Sequence, residues 1–170
     1  MRRELSATAL ALLLCGAVQA QSSCTLVFGQ GRNATEPGGP DWDALNTRFN
    51  TALADALEAQ GRRVVPMTAS SVQIDPQAAG IALLREADRL GCATLAETTV
   101  FADEQAQLVL RLRVYPLLPQ IGDGGAIVGL RIGTPLFVTQ REAALAALQR
   151  LKPELIAAQM AAQYLQHDRR

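Results

Sequence analysis

Apolar and polar residues follow two different spacings along this chain, and the order of the two predicts the fold. Helical spacing, with apolar residues on one face, runs from an N-cap at Asp41 to a stop at Gly61. A second helical stretch begins at Asp75-Pro76, an N-cap followed by proline at the first helical position, and ends at Gly91. These stretches predict two amphipathic helices, each burying one stripe.

Short β-rich runs before, between and after these helices predict strands. They cover residues 24–28, 62–67, 92–101, 107–115 and 126–133. The fourth run alternates cleanly, with leucines and a valine on one face and Arg111 and Arg113 on the other. One face of the sheet is therefore predicted to be buried and the other wet, as in an antiparallel sheet.

A final helix is predicted from a local capping signal. Thr139 and Glu142 have the spacing of a capping box, in which a threonine is followed three residues later by a glutamate. The predicted helix continues through Leu145 and Leu151. Pro153 either kinks it or starts a second helical segment.

The resulting order, β-α-β-α-β-β-β-α, predicts an α/β fold of the α+β kind, with helices packed on one mixed sheet. Crossover helices make the early strands parallel, and the later hairpins add antiparallel strands. If strand one lies between strands two and three, Cys24 and Cys92 fall at the same end of neighbouring parallel strands. A disulfide is then feasible, provided the Cα atoms come within about 7 Å.

The amino-terminal segment has the parts of a bacterial secretory signal peptide. Arg2 and Arg3 are basic, residues 5–18 are mostly apolar, and Ala20 ends a cleavage site of small residues. The apolar run is shorter than the roughly 20 residues of a membrane span. We therefore expect export to the periplasm and no transmembrane span after cleavage.

This interpretation divides the chain into a signal peptide at 1–20 and a single domain at 21–170, with a frayed tail at 166–170. Lipid attachment at Cys24 is disfavoured, because Gln21 stands where lipoprotein signals carry an aliphatic residue. Export favours a Cys24–Cys92 disulfide over two buried free thiols, because exported proteins fold in an oxidising compartment.

Composition excludes some partners and most catalytic sites. The chain of 170 residues has a formal net charge of +0, so it has no basic excess for nucleic acid. Its one histidine, His167, lies in the tail, which leaves no base for a serine or cysteine hydrolase and no zinc cage. Gly29 and Gly31 lack the third glycine of a dinucleotide fingerprint. We therefore predict no catalytic, cofactor or metal residues.

Charged residues on the predicted strands offer one candidate surface. Arg111 and Arg113 could form an anion-binding or partner-binding face, the alternative being an ordinary exposed sheet face. Glu97 could approach Asp103 or Glu104 around a hairpin, but we interpret these carboxylates as solvated turn and edge charges.

Three stretches carry a family resemblance. They are GRRVVP at 61–66 after the first helix, READRLGCATLAE at 85–97, and LFVT at 136–139. Together they resemble the amino-terminal domain of the TolB family and the related periplasmic domains of curli-assembly lipoproteins, although Glu97 stands where that family often has glycine. The resemblance implies an α/β fold and protein contacts at the cell envelope, and it implies no catalytic residue.

The expected function is a non-enzymatic binding or assembly module whose partner is an envelope or outer-membrane protein. One alternative is a small-ligand or lipid carrier with a pocket between the sheet and the C-terminal helix. Another is a small secreted hydrolase, which would need a cleft with convergent polar groups. Small side chains along the last helix suit packing on the sheet or on a second protomer, so the oligomeric state stays open.

Overall fold

A computed structural model describes residues 24–31, 39–69 and 75–169, and the predicted signal peptide lies outside these residues. The elements are β1 (Cys24–Gly31), α1 (Trp42–Glu58), β2 (Val64–Ala69), α2 (Pro76–Leu90), β3 (Cys92–Ala102), β4 (Gln107–Ile121), β5 (Ile127–Ile132), β6 (Phe137–Ala144) and α3 (Pro153–Asp168). None of the described helices is long and apolar enough to cross a membrane.

The strands form one mixed sheet, in agreement with the predicted fold class. Its order is β2-β1-β3-β4-β5, and β6 also pairs with β4. β1 lies between β2 and β3 and is parallel to both, while β4 is antiparallel to β3, β5 and β6. This places strand one where a disulfide requires it. Pro66 lies on the edge strand β2, where a missing backbone donor is tolerated.

The helix predicted to begin at Thr139 is wrong. This segment is strand β6, and it pairs with the first half of β4, which is 15 residues long and therefore offers a ladder for it. The Thr139 hydroxyl lies 3.2 Å from the Gln163 side-chain oxygen on α3, whereas a capping box would have turned it towards the backbone of its own segment. The long-range ladder has overridden the local capping signal.

The last helix begins at Pro153, after a 3-10 segment at Leu145–Arg150. Proline is favoured at this first helical position, because its missing backbone N–H has no helical partner there. α3 continues through Asp168, which forms an ion pair with Arg62. Most of the segment predicted to be a frayed tail is therefore helical.

Two hydrophobic layers lie on opposite faces of the sheet. α1 and α3 cover one face, where they bury the alternating apolar side chains of β4 that the sequence predicts. α2 covers part of the other face, where Leu83 and Ala87 pack on Leu26 and Leu95. The fully or nearly buried β4 side chains on the first face are Leu108, Leu110, Leu112 and Val114.

The predicted disulfide is present. Cys24 and Cys92 are register partners at the start of β1 and β3, their Cα atoms are 4.0 Å apart, and both are buried under α2. A disulfide inside the core fits an exported protein, because oxidising compartments are where such bonds persist.

Candidate functional site

β5 and β6 together form one long, interrupted edge strand. Both run along the side of β4 that β3 does not occupy, with Leu117 opposite Ile132 and Val114 opposite Phe137. Between them, the backbone of Gly133 donates to the Pro116 carbonyl at 2.9 Å. Within the described part of the chain, both strands pair with β4 alone. We call residues 127–144 the free edge.

Apolar side chains are concentrated on this edge and the hairpin that leads into it. Among the described residues, six of the eight large hydrophobic side chains that are exposed lie between 121 and 138. Ile127, Val128 and Ile121 are 68%, 63% and 60% exposed. Exposed apolar side chains that are concentrated in one segment of a small domain, rather than scattered singly, are typical of a contact site. The other three of these six exposed side chains are Ile132, Leu136 and Val138.

The hairpin between β4 and β5 packs on the domain through the hydrophobic layer under α2. Gly124 and Gly125 have φ values of 79° and 82°, a conformation that favours glycine, and they form the turn that the sequence predicts in this region. Leu117 and Leu130 pack into the layer under α2. These contacts fix the hairpin on the domain, and no further strand of the described residues pairs with its outer edge.

The sheet brings Arg111 and Arg113 to the same face, but the two guanidinium groups have different surroundings. Arg113 is the cross-strand partner of Glu97, with Nε 2.9 Å from Oε2, and the Tyr115 hydroxyl donates to the same Oε2 at 3.1 Å. The Arg113 guanidinium is therefore paired with the Glu97 carboxylate. Glu97, interpreted from sequence as a solvated charge, is instead part of a half-buried ion pair. Asp103 caps the following turn by accepting from the backbone of Gln107.

Arg111 keeps its charge uncompensated. Its Nε donates to Gln140 Oε1 at 3.1 Å, and its guanidinium lies 5.2 Å from the Phe101 ring centroid. Among the described residues it forms no ion pair. Its cross-strand partner Thr99 is 2% exposed, and the Thr99 hydroxyl has no hydrogen-bond partner within the described ranges. Of the two arginines of the predicted anion face, Arg111 is therefore the one without an ion pair among the described residues. Gln140 of β6 and the Phe101 ring hold its guanidinium in position.

The open part of this face contains a pocket of about 380 Å³. Its polar groups are those of the Glu97–Arg113–Tyr115 cluster, and its apolar lining comes from α2, β1, β3 and β5. We call it the face pocket, and its lining residues are Phe28, Leu83, Leu95, Glu97, Arg113, Tyr115 and Ile132.

The side of α3 that faces the sheet is buried. Ala157 and Met160 are 0% exposed and Tyr164 is 2% exposed, and all three belong to the hydrophobic core. A groove of about 370 Å³ lies instead on the outside, between α1 and α3, where Ala56 and Ala158 line it.

A second groove, of about 300 Å³, lies between β6 and α3, where Phe137, Thr139 and Gln163 line it. It lies between the sheet and the C-terminal helix, which is where the carrier alternative expects a pocket, so that alternative stays a prediction.

A buried polar cluster beneath α1 was not predicted from sequence. The Thr98 hydroxyl donates to Asn50 Oδ1 at 2.9 Å, and Asn50 Nδ2 donates to the Met67 carbonyl at 3.0 Å. Gly29 makes room for it, since a Cβ there would lie 2.3 Å from Asn46 Nδ2. The signal in the sequence was the spacing of Asn46 and Asn50, which puts two amides side by side on one helical face.

The described residues contain no cluster of three or more His, Cys, Asp or Glu side chains that could hold a metal ion. In sequence comparisons, neither a family model nor a curated protein matches the chain. The functional interpretation therefore rests on the geometry of the free edge and of the sheet face that carries Arg111 and Arg113.

Proposed function

We propose that this chain is an exported, non-enzymatic module of the cell envelope that binds an extended segment of a partner protein along the free edge. The observation that carries the proposal is the concentration of exposed apolar side chains on a strand edge that pairs, among the described residues, with β4 alone. Strand addition uses such an edge directly: the backbone supplies hydrogen bonds, and alternate side chains supply specificity.

The backbone of the edge favours a protein strand over a lipid surface. An edge strand presents N–H and C=O groups that need hydrogen-bond partners. A bilayer interior offers none, and each unsatisfied group costs several kcal/mol there. An added strand satisfies these groups and covers the apolar side chains at the same time.

Charge around the edge favours an acidic partner segment. Arg111, Arg131 and Arg141 form no ion pair among the described residues. Two carboxylates lie on or next to the edge, Asp123 in the hairpin turn and Glu142 on β6. Arg85 and Asp88 of α2 line a groove beside Val128 and add one charge of each sign. The surplus is one positive charge, which favours an acidic segment over a second copy of this edge.

The proposed location is the periplasm, with an envelope or outer-membrane protein as the partner. The Cys24–Cys92 disulfide and the signal-peptide pattern at 1–20 support export. The resemblance to TolB amino-terminal domains supports the same kind of role, because it implies protein contacts at the envelope.

A capture experiment with matched variants tests this proposal. The purified domain, crosslinked in an envelope extract, is compared with the Ile127→Gln/Val128→Gln double variant and with Leu155→Gln, which changes a side chain that is 59% exposed on α3. We expect the edge variant to capture one protein about tenfold less than the wild-type domain does, because two apolar contacts are lost. The Leu155→Gln control should capture that protein as well as the wild-type domain does.

A second matched pair of variants tests the role of positive charge at the edge. Arg111→Gln should lower capture of the same protein and weaken its dependence on salt, whereas Arg150→Gln, on the exposed 3-10 segment, should change neither. Equal capture by all variants, or capture of only a second copy of this chain, would contradict the proposal.

A further inference from the structure

The face pocket lies on the sheet face that carries Arg111 and Arg113, and it shares one residue, Ile132, with the free edge. It lies over β1, β3 and β4, where α2 leaves the sheet uncovered, and Leu83 of α2 forms one of its walls. Its volume of about 380 Å³ is within the range of small-molecule sites, about 300–1,000 Å³. Only Ile132 connects it to the edge strand.

The lining of the pocket has two chemical parts. Phe28, Leu95 and Ile132 provide apolar surface, which suits the hydrocarbon part of a ligand. Arg113 and Tyr115 provide hydrogen-bonding groups on the same floor, next to each other along β4. A site that combines apolar walls with a few convergent polar groups is the usual composition of a ligand pocket.

Charge decides which polar group the pocket can accept. The Arg113 guanidinium is neutralised by Glu97, with two nitrogen–oxygen approaches of 2.9 Å and 3.3 Å. An anionic head group would have to displace this carboxylate, and a cationic one would have to displace the guanidinium. A neutral hydroxyl or amide can bond to the cluster without breaking the pair.

We propose that the face pocket binds a small neutral amphipathic molecule, with its apolar part against Phe28, Leu95 and Ile132 and a hydroxyl or amide against the Glu97–Arg113–Tyr115 cluster. This site and the free edge share Ile132. Glu97→Gln changes the pocket and no residue of the free edge, and Ile127→Gln/Val128→Gln changes the edge and no residue of the pocket lining, so the two proposals fail separately.

The test uses two probes of equal chain length, 1-octanol and octanoate, which differ in the charge of the head group. The purified domain is first loaded with the neutral fluorescent dye N-phenyl-1-naphthylamine. Each probe is then added, and displacement of the dye is measured as a loss of fluorescence. We expect saturable displacement by octanol from the wild-type protein, and displacement by octanoate only at about tenfold higher concentration, because the carboxylate would compete with Glu97.

Two variants separate this pocket from general dye binding. Ile132→Trp fills the pocket from a position that is 42% exposed, and it should abolish displaceable binding. Ala158→Trp fills the groove of similar size between α1 and α3, and it should leave binding unchanged. Circular dichroism on both variants checks that each one is folded.

Glu97→Gln tests the charge argument directly. Removing the carboxylate leaves the Arg113 guanidinium facing the pocket, and the preference should then shift towards octanoate by about tenfold. The proposal is overturned if the wild-type protein shows no saturable binding of octanol, if Ile132→Trp binds as well as the wild type, or if Glu97→Gln leaves the preference between the two probes unchanged.

Discussion

Cys24 and Cys92 lie directly opposite each other at the first positions of two neighbouring parallel strands, with their Cα atoms 4.0 Å apart. The bond joins residues 68 apart in sequence, so it closes a loop that contains β1, α1, β2 and α2. A crosslink of this length removes much of the conformational freedom of the unfolded chain.

Removing this bond should destabilise the domain strongly. We expect the Cys24→Ser/Cys92→Ser double variant to lose about 4 kcal/mol in the free energy of unfolding, because the unfolded chain regains its loop entropy. Urea unfolding of the wild-type and variant proteins measures this difference. A loss below about 1 kcal/mol would show that the bond adds little to stability.

Gly29 should be one of the least replaceable glycines in the domain. A Cβ at this position would lie 2.3 Å from Asn46 Nδ2 and 2.7 Å from Thr98 Oγ1, so Gly29→Ala should cost about 2 kcal/mol or more in unfolding free energy. Gly80 lies inside α2, where a Cβ would meet no described atom within 4 Å, and Gly80→Ala should stabilise by about 0.5–1 kcal/mol. Equal effects of the two substitutions would contradict this packing.

Tyr164 should make stability fall at alkaline pH. Burial raises the pKa of its phenol, and the nearby Asp168 raises it further, while Arg62 opposes the shift. The unfolded chain ionises this tyrosine near pH 10, whereas the folded protein holds the proton to higher pH. The contribution to stability is therefore complete below about pH 10 and is lost as pH rises above it.

Urea unfolding at about pH 8 and about pH 10.5 measures this loss. Tyr164→Phe should reduce the decrease in unfolding free energy between the two values, since it removes the group that titrates. Leu155→Gln, an exposed change on the same helix that leaves Tyr164 in place, should retain that decrease. An unchanged decrease in Tyr164→Phe would assign the alkaline loss to other groups.

The first part of the fold was readable from the sequence because its signals are local and agree with one another. Caps at Asp41 and Asp75 fix the helix starts, and the crossover rule then makes the connected strands parallel. The position of Cys92 immediately after the Gly91 stop fixes which end of β3 faces Cys24. These signals together predicted the disulfide.

The later part was harder to predict, because its structure depends on pairing across long distances in sequence. Thr139 and Glu142 fit a helix start, yet β4 offers them a strand ladder that no local pattern reveals. The Glu97–Arg113 contact depends on the register of β3 against β4, and the sequence does not specify that register. The different surroundings of Arg111, which forms no ion pair among the described residues, depend on the same register.

A photo-crosslinking comparison at two positions tests the central claim most directly. A photoreactive residue replaces Val128 on the free edge or, in a second protein, Leu155 on α3; these side chains are 63% and 59% exposed. Both proteins are produced in cells that export them, and the adducts are identified by mass spectrometry. We predict a specific adduct from position 128, to an acidic extended segment of an envelope protein, and none of that adduct from position 155. The same adducts from both positions, or only self-adducts from position 128, would contradict the proposed role of the free edge.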